Sequence, residues 1–304
     1  MRILAALVSL HLLAFLAMPG RAQVPTAPAG APEELTGTLR AVFERGRITL
    51  GYRTSSLPFS YLSPLNQPIG YSIDLCQEIV ERVRDEVGRE VEIDWRPVTP
   101  DSRIGDVVSG RIDIECGSTT STAERQREVT FSPVFFIAGT RLLVRQDSPI
   151  RSFSDLAGRT LVVTAGTTNG PALIELGKRQ GIEFRMVTEP DHAESFARVA
   201  SGKADAFATD DVLLYGLIAK APNGGDYRVA GDLLSYEPYG LMFRREDPAF
   251  ADLVNSTFAR MAQDRRLREF YTRWFRYRLP TGELLDLPIS TQLAEVFRLL
   301  GQPD

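Results

Sequence analysis

A seven-residue pattern occurs twice in this chain, and it constrains the fold more than any composition figure does. Val107-Val108-Ser109-Gly110-Arg111-Ile112-Asp113 is echoed by Val199-Ala200-Ser201-Gly202-Lys203-Ala204-Asp205. In each copy a helical run stops at Gly, the residue that most readily closes a helix, and a β-like run begins. A repeated helix–Gly–strand passage implies two similar halves, each with its own sheet. Nine residues on from Ser109 and from Ser201 stand Ser118 and Asp210, which puts one polar residue per half just past the carboxyl end of an equivalent strand. Open α/β sheets bind ligands at that end.

Length points the same way once the N-terminus is read. Met1-Arg2, the apolar run Ile3 to Ala17 and the break at Pro19-Gly20 form the pattern of a signal peptide, 1–22, cleaved after Gly20-Arg21-Ala22. The run is short for a membrane span, and no nearby Cys is available for lipidation. Removing it leaves 304 − 22 = 282 residues, beyond what one hydrophobic core usually serves. Arg2 and Arg21 leave with it, so 33 of the 35 basic residues face 39 acidic ones, a net charge of about −6. Nucleic acid, which wants a basic face, is not an expected partner. Residues 23–34, rich in Ala and Pro from Gln23 to Pro32, read as a disordered spacer.

Beyond the spacer, β-like and amphipathic runs alternate as in an α/β sheet with crossover helices. Strands are expected at 48–53, 91–95 and 112–116, with helices at 73–83 and 104–108. A second series has strands at 161–164, 184–187 and 204–208 and helices at 171–178, 193–199 and 212–220. The spans 248–261 and 265–275 read as helices, and 240–243 as a returning strand. The expected architecture is thus two lobes, 35–138 with 240–304 and 139–239, joined by crossings at 139–140 and 237–239. Two crossing segments make a hinge.

Two turns carry the chemistry. Glu115-Cys116-Gly117-Ser118-Thr119-Thr120 ends a strand in hydroxyls, and Arg125 follows with a planar fork that matches a carboxylate. Thr164-Ala165-Gly166-Thr167-Thr168-Asn169-Gly170-Pro171 leads a strand into a helix whose free N–H groups suit an anion. Neither a Walker motif nor GxGxxG is present. Arg53, Arg103 and His192 add basic groups in loops, while Asp210 sits at a strand end where it could also cap the next helix. Cys76 and Cys116 permit a disulfide in an exported chain without requiring one, free core thiols being the alternative.

Taken together, Arg53 to Tyr61, Gly70-Tyr71-Ser72, Glu115 to Thr120 with Glu124-Arg125, Gly139 to Leu143, Val163 to Thr168, Asp191-His192 and Asp210-Asp211 resemble the family 3 extracellular solute-binding proteins, and among them the glutamate/aspartate-binding components of ABC importers. The resemblance implies a periplasmic-binding-protein-like fold of two α/β lobes with a two-segment hinge. It further implies that Arg125, Thr120 and Thr168 hold a ligand α-carboxylate, Asp210 and Ser118 its ammonium group, and Arg53, Arg103 and His192 its side-chain carboxylate. Pro100 departs from the pattern, since the relatives carry Ser three residues before the Arg matching Arg103; this leaves aspartate against glutamate open.

Three Arg against Asp210 leave the expected site at +2 with His192 neutral, a charge suited to a dicarboxylic amino acid. The expected function is capture of glutamate or aspartate by lobe closure in the periplasm, as a monomer, and delivery to an inner-membrane ABC permease. No cofactor and no metal are expected, because two His and two Cys lack ligand spacing. No catalytic residue is expected either. A periplasmic dehydratase on the same scaffold, or a ligand-sensing subunit for a receptor, are the rival readings.

Overall fold

The computed structural model describes residues 34–303; the expected signal peptide and nearly all of the spacer lie outside them. Two five-stranded sheets organise the chain, and they share one plan. In the first, the order is Glu92–Pro97, Arg47–Tyr52, Ile114–Glu115, Met242–Arg244, Val129–Phe131. In the second it is Arg185–Glu189, Thr160–Thr164, Ala206–Asp210, Thr140–Arg145, Tyr227–Ala230. Each sheet has three parallel strands followed by one running antiparallel to both its neighbours.

The repeated sequence pattern has a physical cause in both lobes. Gly110 and Gly202 take φ of 71° and 69°, closing the helices Arg103–Val108 and His192–Ala200. Ser109 Oγ donates to Gly105 O at 2.7 Å and Ser201 Oγ to Ala197 O at 2.8 Å. The terminal Asp of each copy clamps the sheet from the start of its third strand to its second: Asp113 Oδ2 accepts from Thr49 N at 2.8 Å and Asp205 Oδ2 from Thr160 N at 2.7 Å. The motif therefore sets strand register, and Ser118 and Asp210 inherit matched positions beyond it.

The lobes are connected by two strands that pair with each other. Phe136–Ala138 runs antiparallel to Glu237–Tyr239, with Glu237 opposite Ala138 and Tyr239 opposite Phe136. Around this ladder stands an aromatic core in which Phe136 stacks on Phe275 at 4.9 Å and on Tyr271 at 6.2 Å, while Phe59 meets Phe136 edge-on at 4.9 Å. That packing ties the C-terminal part of the chain to the first lobe. Cys76, on the helix Tyr71–Val87, is bonded to Cys116 beside the strand Ile114–Glu115, with Cα atoms 6.2 Å apart.

Two local expectations are corrected. The span 265–275 is not one helix: Arg265 takes φ of 61°, the helix Arg266–Tyr271 follows, and Thr272–Arg276 forms a π-turn. Arg125 opens a 3₁₀ turn, Arg125–Arg127. The helix expected from Pro171 starts two residues earlier, Asn169–Gln180, still leaving Pro171 in the first turn where its missing N–H costs nothing.

Candidate functional site

The lobes touch at their seam. Arg125 Nη2 donates across it to Gly166 O at 3.0 Å, and Arg53 Nη2 to Asp191 Oδ1 at 2.7 Å. Val212 and Leu213, from the second lobe's helix Asp211–Lys220, join the first lobe's apolar core. Gly166, at φ +67°, lies so close to the loop at Pro100-Asp101 that a Cβ would stand 2.6 Å from its backbone. Pro100 carries no hydroxyl, and Ser102 Oγ is occupied locally by Thr99 N at 3.1 Å.

Between the lobes lies a small cavity lined by Arg53, Arg103, Ser118, Thr120, Thr168, His192 and Asp210, with Thr167, Asn169, Thr209 and Leu213. Seven of the eight residues chosen from sequence are thus brought together from segments far apart in the chain. Arg125 is the exception. It is buried beside the cavity at 8 % exposure, yet Nη1 and Nη2 are engaged by the backbone carbonyls of Thr120 and Gly166.

Hydrogen bonding separates used groups from available ones. Arg53 is wholly buried, and its Nε and Nη1 have no partner within the protein; the same holds for Arg103 Nε and Ser118 Oγ. Buried polar atoms without partners are costly, so the arginine nitrogens ask for an acceptor and the Ser118 hydroxyl for a polar partner of either kind. Arg103 Nη1 donates to Thr119 Oγ1 at 2.6 Å, which passes the bond to Glu115 Oε2 at 2.8 Å. Burial first, then the neighbouring charge of Arg125, draws the Arg103 guanidinium down to about 9.

Asp210 is held from both sides, Oδ1 by Asn169 Nδ2 at 2.8 Å and Oδ2 by Tyr239 OH. It is the N-cap residue of Asp211–Lys220 by position, but its side chain makes no capping bond. Burial, and then the charge of Glu237, pushes it up to about 7. Thr168 Oγ1 is committed to Glu237 Oε2 at 2.8 Å, so what it can offer a carboxylate is backbone.

His192 is also buried, and its surroundings settle its form. Ser195 Oγ spends its proton on the carbonyl of Asp191 at 3.0 Å. Thr164 Oγ1 must then donate to Ser195 Oγ, 2.9 Å away, and receive from His192 Nδ1, also at 2.9 Å. These three bonds coexist only with the proton on Nδ1, which leaves Nε2 bare. Burial, followed by the charge of Arg53, lowers His192 to about 3, so the neutral ring acts as an acceptor.

Carboxylates are what the sequence reading missed. Asp191, Glu115 and Glu237 all contact site residues, so three arginines face four acids and the expected +2 does not survive. The signal was present, since each lies in a segment already singled out, but which side chain points inward is decided by tertiary packing.

Residues 48–277 match the profile of the bacterial extracellular solute-binding proteins, family 3. The chain belongs to this family. A relative from Pseudomonas aeruginosa, named L-glutamate/L-aspartate-binding protein, is 41 % identical over 89 % of this solute-binding protein and 90 % of its own length. The glutamate/aspartate import solute-binding protein of Salmonella typhimurium is 36 % identical over 94 % and 95 %. Among solved structures, an ancestral amino acid-binding protein described as a precursor of cyclohexadienyl dehydratase superposes with a TM-score of 0.68 at 29 % identity, covering 78 % of this chain and 99 % of its own. The periplasmic-binding-protein fold with two α/β lobes and the membership among ABC-type amino-acid solute-binding proteins follow from these likenesses. Among the described residues no helix is long and apolar enough to cross a membrane.

Proposed function

We propose that this protein captures glutamate or aspartate by closing its lobes in the periplasm and delivers it to an ABC permease. The observation that carries the reading is the set of buried, partner-free polar groups of Arg53, Arg103 and Ser118 on one small cavity. A dicarboxylic amino acid supplies acceptors for the two arginines and an ammonium donor for the Ser118 hydroxyl. Arg53 and Arg103 take its side-chain carboxylate, and Arg125, Thr120 and the backbone at Thr168 border its α-carboxylate. Asp210 and Ser118 face the ammonium group, and neutral His192 shapes the pocket as an acceptor. Ligand contacts from both lobes favour the closed form, because only that form makes them all. The lobes, 35–138 with 240–304 and 139–239, turn about 139–140 and 237–239, where Asp211 N reaches Gly139 O at 2.9 Å and Thr140 N reaches Ser235 Oγ at 3.1 Å.

Binding without chemistry is supported by the relatives, which are named as binding proteins and not as enzymes. Calorimetry with a panel of amino acids tests the reading: tight glutamate or aspartate binding is expected. Tight glutamine binding with none for either acid would overturn it. Incubation with arogenate or prephenate should yield no product.

A further inference from the structure

Asp191 is the one site carboxylate presented by the second lobe to a first-lobe arginine. Its Oδ1 accepts three hydrogen bonds, from Arg53 Nη2 at 2.7 Å, from Ser55 Oγ at 2.6 Å and from His192 N at 2.7 Å. The last caps its own helix, and the other two cross the seam. Arg53 is otherwise anchored at its backbone, where N donates to Ser60 Oγ at 2.9 Å. The direction of its guanidinium, with Nε and Nη1 left for the cavity, is therefore set by a group that arrives only when the lobes meet.

We infer that Asp191 is a positioning residue and a latch: it aligns Arg53 for the ligand's side-chain carboxylate as the lobes close, and holds the closed form through Arg53 and Ser55. The affinity readout rests on the acidic-ligand reading above. The latch has a consequence that simple charge counting hides. Asp191 carries the same charge as the ligand and would repel it, yet removing that charge weakens binding, because an unaligned Arg53 and an unfastened seam outweigh the repulsion gained back.

Asp191→Asn separates these effects, since Asn caps a helix as well as Asp does and keeps the side chain's size. L-Glutamate binding should weaken about tenfold, or about 1.4 kcal/mol, mainly through faster dissociation. Ser55→Ala, which leaves cap and charge intact, should give a smaller loss of the same kind. In an Arg53→Met background Asp191→Asn should cost clearly less, no more than Ser55→Ala does, because the arginine it positions is gone and only the Ser55 bond remains. Unchanged or tighter glutamate binding by Asp191→Asn would overturn the latch, and so would an equal loss in both backgrounds. Small-angle scattering of the ligand-free proteins judges closure without reference to any ligand: the variant should be more expanded than the parent chain. If the parent chain bound no acidic amino acid, the functional reading would fall while this measurement still decided the latch.

Discussion

Gly216 offers a perturbation that separates stability from binding. It lies buried inside the helix Asp211–Lys220, where Ala is intrinsically better than Gly by about 0.5–1 kcal/mol. Judged from the second lobe alone, Gly216→Ala stabilises. Across the seam stands Leu57 of the first lobe, and a Cβ at 216 would come within 3.1 Å of its carbonyl carbon and 3.0 Å of its Cδ2, with the carbonyl oxygen nearer still. Ordinary contact runs from 3.4 to 4 Å, and a backbone carbonyl cannot swing aside, so the lobes must part by about 1 Å at this point. The nearby Arg53–Asp191 and Ser55–Asp191 bonds, at 2.7 and 2.6 Å, would then pass out of hydrogen-bonding range. Two bonds to a charged group, discounted for partial exposure, amount to about 3 kcal/mol, or about a hundredfold in Kd. The assay pairs thermal melting of the ligand-free protein with calorimetry using glutamate. An unchanged or raised Tm with strongly weakened binding is expected, whereas an affinity equal to that of the parent chain would refute the seam argument.

Three further outcomes follow from the site. Because Asp210 is raised to about 7 from an ordinary 3.8, its contribution to ligand-free stability is full below 3.8 and is lost as pH rises toward 7; a bound ammonium group reverses that preference. Binding near pH 6 should therefore release up to about one proton, seen as a dependence of calorimetric enthalpy on buffer and absent in Asp210→Asn. Thr119→Val breaks the relay between Arg103 and Glu115 and should cost about 1–3 kcal/mol in unfolding free energy, with weaker glutamate binding; Thr119→Ser should restore both. Paired Cys76→Ser and Cys116→Ser substitutions reopen a loop closed over 40 residues and should lower stability by about 4 kcal/mol, measured by urea unfolding.

Fold and site were legible from sequence to different depths. Alternating periodicities and the repeated Ser-Gly passage reveal two like sheets because strand and helix periods are local properties, and Gly110 and Gly202 stop helices wherever they occur. The eight candidate residues could be chosen because they stand near strand ends and helix starts, and topology directs seven of them to one cavity. Even the bond between Cys76 and Cys116 was permitted by the expected helix and strand, though only packing brought the two sulfurs together.

What sequence determined by itself is therefore the parts: two repeated α/β units and a set of cationic and hydroxyl groups suited to an anion. Tertiary structure decided how those groups are used. It turned Arg125 onto the carbonyls of Thr120 and Gly166, committed the Thr168 hydroxyl to Glu237, fixed the proton of His192 on Nδ1 and brought Asp191 across the seam to Arg53. These outcomes depend on contacts between segments 41, 69 and 138 residues apart or on a chain of hydrogen bonds through buried groups. In a low-dielectric cleft the worth of each charge is set by its neighbours, and the neighbours are known only once the chain has folded.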